Sequence, residues 1–69
     1  MTRSEAVDEY CRLWGEWVDS CRREEWKRAT LVSDNIHELM TIVRGADNSL
    51  EIIEETRIET TRRFYPEFG

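Results

Sequence analysis

Apolar residues recur along the first third of the chain at Val7, Tyr10, Trp14, Trp17 and Cys21, in steps of 3, 4, 3 and 4. That rhythm keeps one face of an α-helix apolar, and at about 100° per residue Val18 joins the same sector. Two Trp and a Tyr make this seam bulky, so hiding it against other helices is the chief task set for folding. Thr2 and Glu5 have the spacing of a capping box, which starts the helix at about Arg3. Asp8/Arg12, Asp19/Arg23 and Glu24/Arg28 place an acid four residues before a base, the favourable order for helical ion pairs. Only Gly15 is a weak helix former before Ala29, and the predicted span is about 3–30.

The rhythm changes at Ala29–Asn35. Thr30 and Val32 are β-branched, and Ser33-Asp34-Asn35 is a run of residues that favour helix starts. A second helix is predicted over about 34–44, with Ile36, Leu39, Met40 and Val43 on its apolar face. One competing reading stays open. Val32, Ile36, Leu39 and Val43 keep phase with Val7, since 7 and 43 lie about ten turns of 3.6 residues apart. A single unbroken helix of about forty residues would satisfy that register. Against it, Glu25 and Arg28 interrupt the apolar stripe.

Val43-Arg44-Gly45 reads as a helix end, with a base in the last turn and Gly45 expected in the left-handed position. Asp47, Asn48 and Ser49 follow as turn residues, and Asn48 stands three before Glu51. The connection is short, so a third element over about 48–64 is expected to fold back antiparallel. Helical spacing groups Leu50, Ile53, Thr60 or Thr61 and Phe64, with Ile52 and Thr56 on the shoulder. Strand alternation groups Leu50, Ile52, Thr56, Ile58, Thr60 and Phe64, and three Thr favour it. A lone strand of that length with no pairing hairpin is atypical, so the helix is preferred. Pro66 ends it and leaves 65–69 as an aromatic tail. The expectation is all-α: an antiparallel helical hairpin or three-helix arrangement (about 3–30, 34–44, 48–64), one small domain over 1–69, completed by dimerisation.

Size motivates that last clause. A core below about 70 residues rarely yields more than about 3–5 kcal/mol, and small folds add a disulfide, a metal or a partner subunit. Cys11 and Cys21 on one helix stand about 15 Å apart, beyond the roughly 7 Å a disulfide spans. They read as reduced thiols, which suits a cytoplasmic protein. No Cys-x-x-Cys or His-x-x-x-His pair offers a metal site, so no metal or cofactor is expected. A second chain is the remaining staple.

Fifteen acids against ten bases give a formal charge of −5. An acidic balance of this kind disfavours direct binding to nucleic acid or to an anionic membrane. No apolar run approaches the roughly 18 residues of a membrane span. Catalytic signatures are equally thin. His37, the only histidine, falls opposite the Ile36–Val43 face, Cys21 belongs to the seam, and Glu24-Glu25 and Glu54-Glu55 point to different sides of their helices. No phosphate-cradling loop is present.

Binding chemistry is better represented. Trp26 lies about 120° out of phase with the Trp14/Trp17 sector on a continuous helix, near Arg22 and Gly15. Tryptophan beside arginine is the composition of an interface hot spot. Trp26, Arg22, Arg23, Tyr65 and Phe68 are therefore the candidate partner-binding residues. Val7, Tyr10, Trp14, Trp17, Cys21, Ile36, Leu39 and Val43 form the core or dimer seam. The expected function is a non-enzymatic protein-binding module, a small dimeric inhibitor or adaptor such as the host-directed inhibitors of phages. The alternative is an acidic nucleic-acid mimic or an antitoxin-like transcription regulator.

Overall fold

A computed structural model describes residues 2–68, the side chain of Phe68 excepted. Three α-helices follow one another, α1 at Arg3–Arg22, α2 at Trp26–Arg44 and α3 at Ser49–Phe64, and a 3-10 turn closes the chain at Pro66–Phe68. The described residues contain no strand, so the alternating pattern of 50–64 serves a helix. No described helix is long and apolar enough to cross a membrane.

The first helix begins where the capping spacing places it, with the Thr2 hydroxyl accepting the Glu5 N–H at 3.2 Å. It ends earlier than expected. Neither one forty-residue helix nor a break at Ala29–Asn35 is found. Instead the chain reverses at Arg23–Glu25, and Ser33, Asp34 and Asn35 lie within α2. The Glu25 N–H donates to the Ser20 carbonyl at 2.9 Å and the Glu24 N–H to Cys21 at 3.1 Å. These are the two bonds of a Schellman cap, which satisfies the orphan carbonyls of a helix end. Glu24 occupies the left-handed position with φ 57°. Glycine usually fills that place, and its absence hides the turn from a sequence reading. The physical cause of the break is the interruption already visible at Glu25 and Arg28. A straight helix would strand two apolar stripes on one face, whereas folding back buries them against each other.

Ion pairs adjust accordingly. Glu24 and Arg28 do not pair, because the turn separates them; Arg28 reaches Asp19 at 3.1 Å and Glu25 at 3.2 Å, strapping the reversal. Asp8 and Arg12 do not pair either. Arg12 is held by Glu9 and Glu16, and Asp8 turns toward Arg63 on α3. Asp19/Arg23 does form, at 3.3 Å. At the second connection Gly45 is right-handed, with φ −83° and ψ −6°, so the expected left-handed cap is replaced by turns through Asn48. Asn48 is the residue before α3 but makes no side-chain cap bond.

The packing places α1 in the middle. It lies against α2 along most of its length, less extensively against α3, while α2 and α3 meet sparingly. Arg3 pairs with Glu51 and Glu55 at 3.3 and 2.9 Å, and the Phe64 ring lies over Gly15, so α3 runs alongside α1 in the same sense. Two stripes of α1 are therefore buried. Ala6, Leu13 and Ser20 recur every seventh residue, and Val7 and Cys11 lie to the other side, Cys11 near Glu59 and Arg63 of α3. From α2 come Ala29, Val32, Ile36, Leu39 and Val43. From α3 come Ile52, Thr56 and Thr60, with both Thr hydroxyls donating to carbonyls within the helix. Leu50, expected on the inner side, is 81% exposed. The inner face is centred one step further round, on Ile52.

Candidate protein-interaction face

The three helices converge at one end. Ala6 of α1, Ile42 and Val43 of α2, Ala46 of the connection and Ile52 of α3 close around a small apolar cavity there. Toward the other end α3 follows α1 as far as Gly15, and α2 runs on to the Arg23–Glu25 turn. The backbone is consequently broad and thin, with Cα extents of 37 × 28 × 14 Å. Only α1 then separates α2 from α3, and its bulkiest residues sit where the outer helices part.

Those residues are a ladder of rings. Tyr10 stacks on Trp14 with centroids 6.1 Å apart and planes at 13°, and Trp14 meets Trp17 at 5.2 Å and 37°. Helical geometry brings positions i, i+4 and i+7 together, and offset or tilted contacts of this kind add about 0.5–1.5 kcal/mol each beyond burial. The rings pack on the core yet stay half-buried, as does Cys21. Val7, Ile36, Leu39 and Val43, the remaining seam residues, are buried. Trp14 presents a further irregularity: its indole N–H is buried with no acceptor. An unpaired buried donor costs about 1–3 kcal/mol.

Beyond Trp17 the face continues as a shallow groove lined by Trp17, Cys21, Trp26, Ala29, Thr30 and Ser33, with Asp34 as the one charged lining residue. Trp26 opens α2 and is 61% exposed. Its assignment by phase to the neighbourhood of Gly15 does not hold, because the helix on which that phase was counted ends at Arg22. Gly15 faces the Phe64 ring, to which an added Cβ would come within 3.2 Å. Arg22 and Arg23 are both exposed at the turn beside Trp26. Arg23 is engaged by Asp19. Among the described residues neither Arg22 nor Lys27 enters an ion pair, and Lys27 is a feature of this end that the sequence reading passed over. Tyr65 is exposed at the end of α3 and does not line the groove that includes Trp26, and the side chain of Phe68 lies outside the described residues.

Two titratable groups of α1 are shifted by burial. Burial pushes the Cys11 thiol up, with Arg63 opposing, and burial likewise pushes up the Tyr10 phenol. A buried, protonated thiol is inert rather than nucleophilic. His37 is exposed, and no group of three His, Cys, Asp or Glu among the described residues is placed to hold a metal ion. No family model, no curated protein and no solved structure matches this chain.

Proposed function

We propose that this chain is a non-enzymatic protein-binding module, a small dimeric inhibitor or adaptor that acts by protein–protein contact. The observation that carries the reading is the face just described: three half-buried rings in contact, continued by a Trp exposed over most of its surface, with Arg22 and Arg23 exposed just before it in the chain. Aromatic rings and arginine dominate binding energy at protein interfaces, where a rigid ring loses little freedom on docking. Mean hydropathy is −0.70 and over a third of the residues are charged, so an aromatic face on so polar a chain stands out as a place to be covered.

Affinity capture from cells with the wild-type chain and with Trp26→Ala tests the reading. Trp26 contributes nothing to the buried core, so the variant should keep its helicity and melting temperature while losing the captured protein. A protein retained equally by both chains refutes the assignment. The alternative of an acidic nucleic-acid mimic draws on the acids near the convergent end. There, however, Arg3, Arg12 and Arg57 hold Glu51, Glu55, Glu9 and Glu54 in ion pairs, which breaks up a phosphate-like array of charge. Competition with duplex DNA for a DNA-binding protein would favour that alternative.

A further inference from the structure

We propose that the ring-bearing face is closed by a second copy of this chain, set antiparallel so that the two α1 helices cross near Trp14 about a two-fold axis. The inference deepens the protein-binding reading by naming one occupant and its orientation. Three observations lead to it.

The first concerns what one copy leaves unburied. The buried hydrophobic core consists of Ala, Val, Cys, Leu and Ile, and none of the three largest rings of α1 belongs to it. Tyr10, Trp14 and Trp17 rest on that core with their outer sides uncovered. The second is area. The broad face spans 37 × 28 Å, which accommodates the roughly 800 Å² per partner of a standard interface. An isologous dimer needs one self-complementary patch, and the ladder from Tyr10 to Cys21 includes the middle of α1.

The third observation selects the occupant. The charge is segregated along the molecule. At the convergent end, residues 2–12 and 35–57 carry eight acids and four bases; at the splayed end, residues 13–34 and 58–69 carry seven acids and six bases. Four of the five net negative charges therefore reside at the convergent end. Parallel copies would set two such ends side by side. Antiparallel copies separate them and place each beside the partner's Arg22 and Lys27, the two splayed-end bases without an intrachain acid among the described residues. Charges at the rim of an apolar patch set register and orientation in this way.

Lys27 is the only lysine in the chain, which makes orientation measurable. Zero-length carbodiimide coupling of the wild-type protein should join Lys27 of one copy to carboxylates of the other's convergent end, such as Asp47 or Glu54, identified by mass spectrometry of the dimer band. Sedimentation should show a dimer that dissociates on dilution. Arg22→Glu with Lys27→Glu should weaken it about tenfold or more, since several rim contacts of up to about 1 kcal/mol each change sign and 1.4 kcal/mol is tenfold. Helicity should be unchanged, because neither base is in an ion pair. Mixing that variant with one carrying Asp47→Lys should restore part of the association. A chain that sediments as a monomer at high micromolar concentration overturns the proposal. So does a dimer indifferent to the charge reversals, or one whose Lys27 couples only to Glu24, Glu25 or Asp34. In each of those cases Trp26-dependent capture of another protein would survive, so failure here is separable from failure of the binding-module reading.

Discussion

Replacing Glu24 with glycine should stabilise this protein. Glu24 is the only non-glycine described residue with positive φ, at 57°, and no glycine among the described residues has positive φ. A residue with a Cβ pays about 1–2 kcal/mol to sit in the left-handed region. Glycine escapes that cost but loses more freedom on folding, by about 0.5–1 kcal/mol. The Glu24 side chain is exposed and takes part in no ion pair or side-chain hydrogen bond among the described residues, so nothing else is given up. The net gain expected is about 0.5–1 kcal/mol, and for a domain this size each kcal/mol moves the melting temperature by about 4–8 °C. Thermal unfolding followed by circular dichroism, at one fixed protein concentration because association shifts the midpoint, is the assay. Glu24→Asn should fall between wild type and glycine, and Glu24→Ala should change little because alanine keeps the strain. The sign is decisive. If residues 3–44 formed one continuous helix, glycine at its centre would cost about 1 kcal/mol. A lowered melting temperature for Glu24→Gly would therefore refute the Schellman turn and the fold built on it.

Further expectations follow from the packing and the titrations. Trp14→Ala should cost about 3–5 kcal/mol, enough to unfold a domain this small. Trp14→Phe keeps the stack on Tyr10 and removes the unpaired indole N–H, so denaturant titration should show a loss of no more than about 1 kcal/mol. Gly15→Ala gains helix propensity of up to about 1 kcal/mol and asks the half-buried Phe64 ring to yield a few tenths of an ångström; Gly15→Leu should displace that ring and destabilise, both read by chemical denaturation. Because burial raises the Cys11 thiol, folded chains stay protonated where unfolded ones ionise. That stability is intact below the ordinary thiol value and is lost as pH rises above about 8.5, with Tyr10 adding to the fall above about pH 10; melting temperature against pH should show it, and Cys11→Val should remove its first part. Hydrogen bonds from Arg12, Arg57 and Arg62 hold Glu9, Glu54 and Glu59 below the usual carboxylate range. Their contribution is present above that range and is lost as pH falls through it, so the melting temperature should decline below about pH 4.5.

Much of the architecture was legible because it rests on periodicity. The Thr2 cap, the end of α2 at Arg44, the extent of α3 and the burial of Val7, Ile36, Leu39 and Val43 all follow from apolar spacing and helix-end chemistry. The turn at Arg23–Glu25 was not legible in place, since two glutamates are good helix formers and only tertiary contact holds Glu24 left-handed. The Ser33-Asp34-Asn35 run misled for the complementary reason: residues that favour a cap are tolerated on an exposed helix face when the packing on the other side is strong. The geometry of the face was half legible. The rings were identified as a seam, but α1 has two neighbours, and its deepest positions are the small residues Ala6 and Ser20 and the modest Leu13 and Cys11. Small side chains let the neighbouring helices approach closely and leave the large rings outermost; apolar periodicity, which weights bulk, points the opposite way.

The placement of α3 bears on the order in which the chain assembles. The α1–α2 hairpin joins residues that are near in sequence across a three-residue reversal, so it closes at small entropic expense and should form early. Docking α3 on α1 instead of on its immediate predecessor closes a loop that spans all of α2. This third helix should thus be last to settle and first to lift away, giving faster amide exchange over 49–64 than over the hairpin.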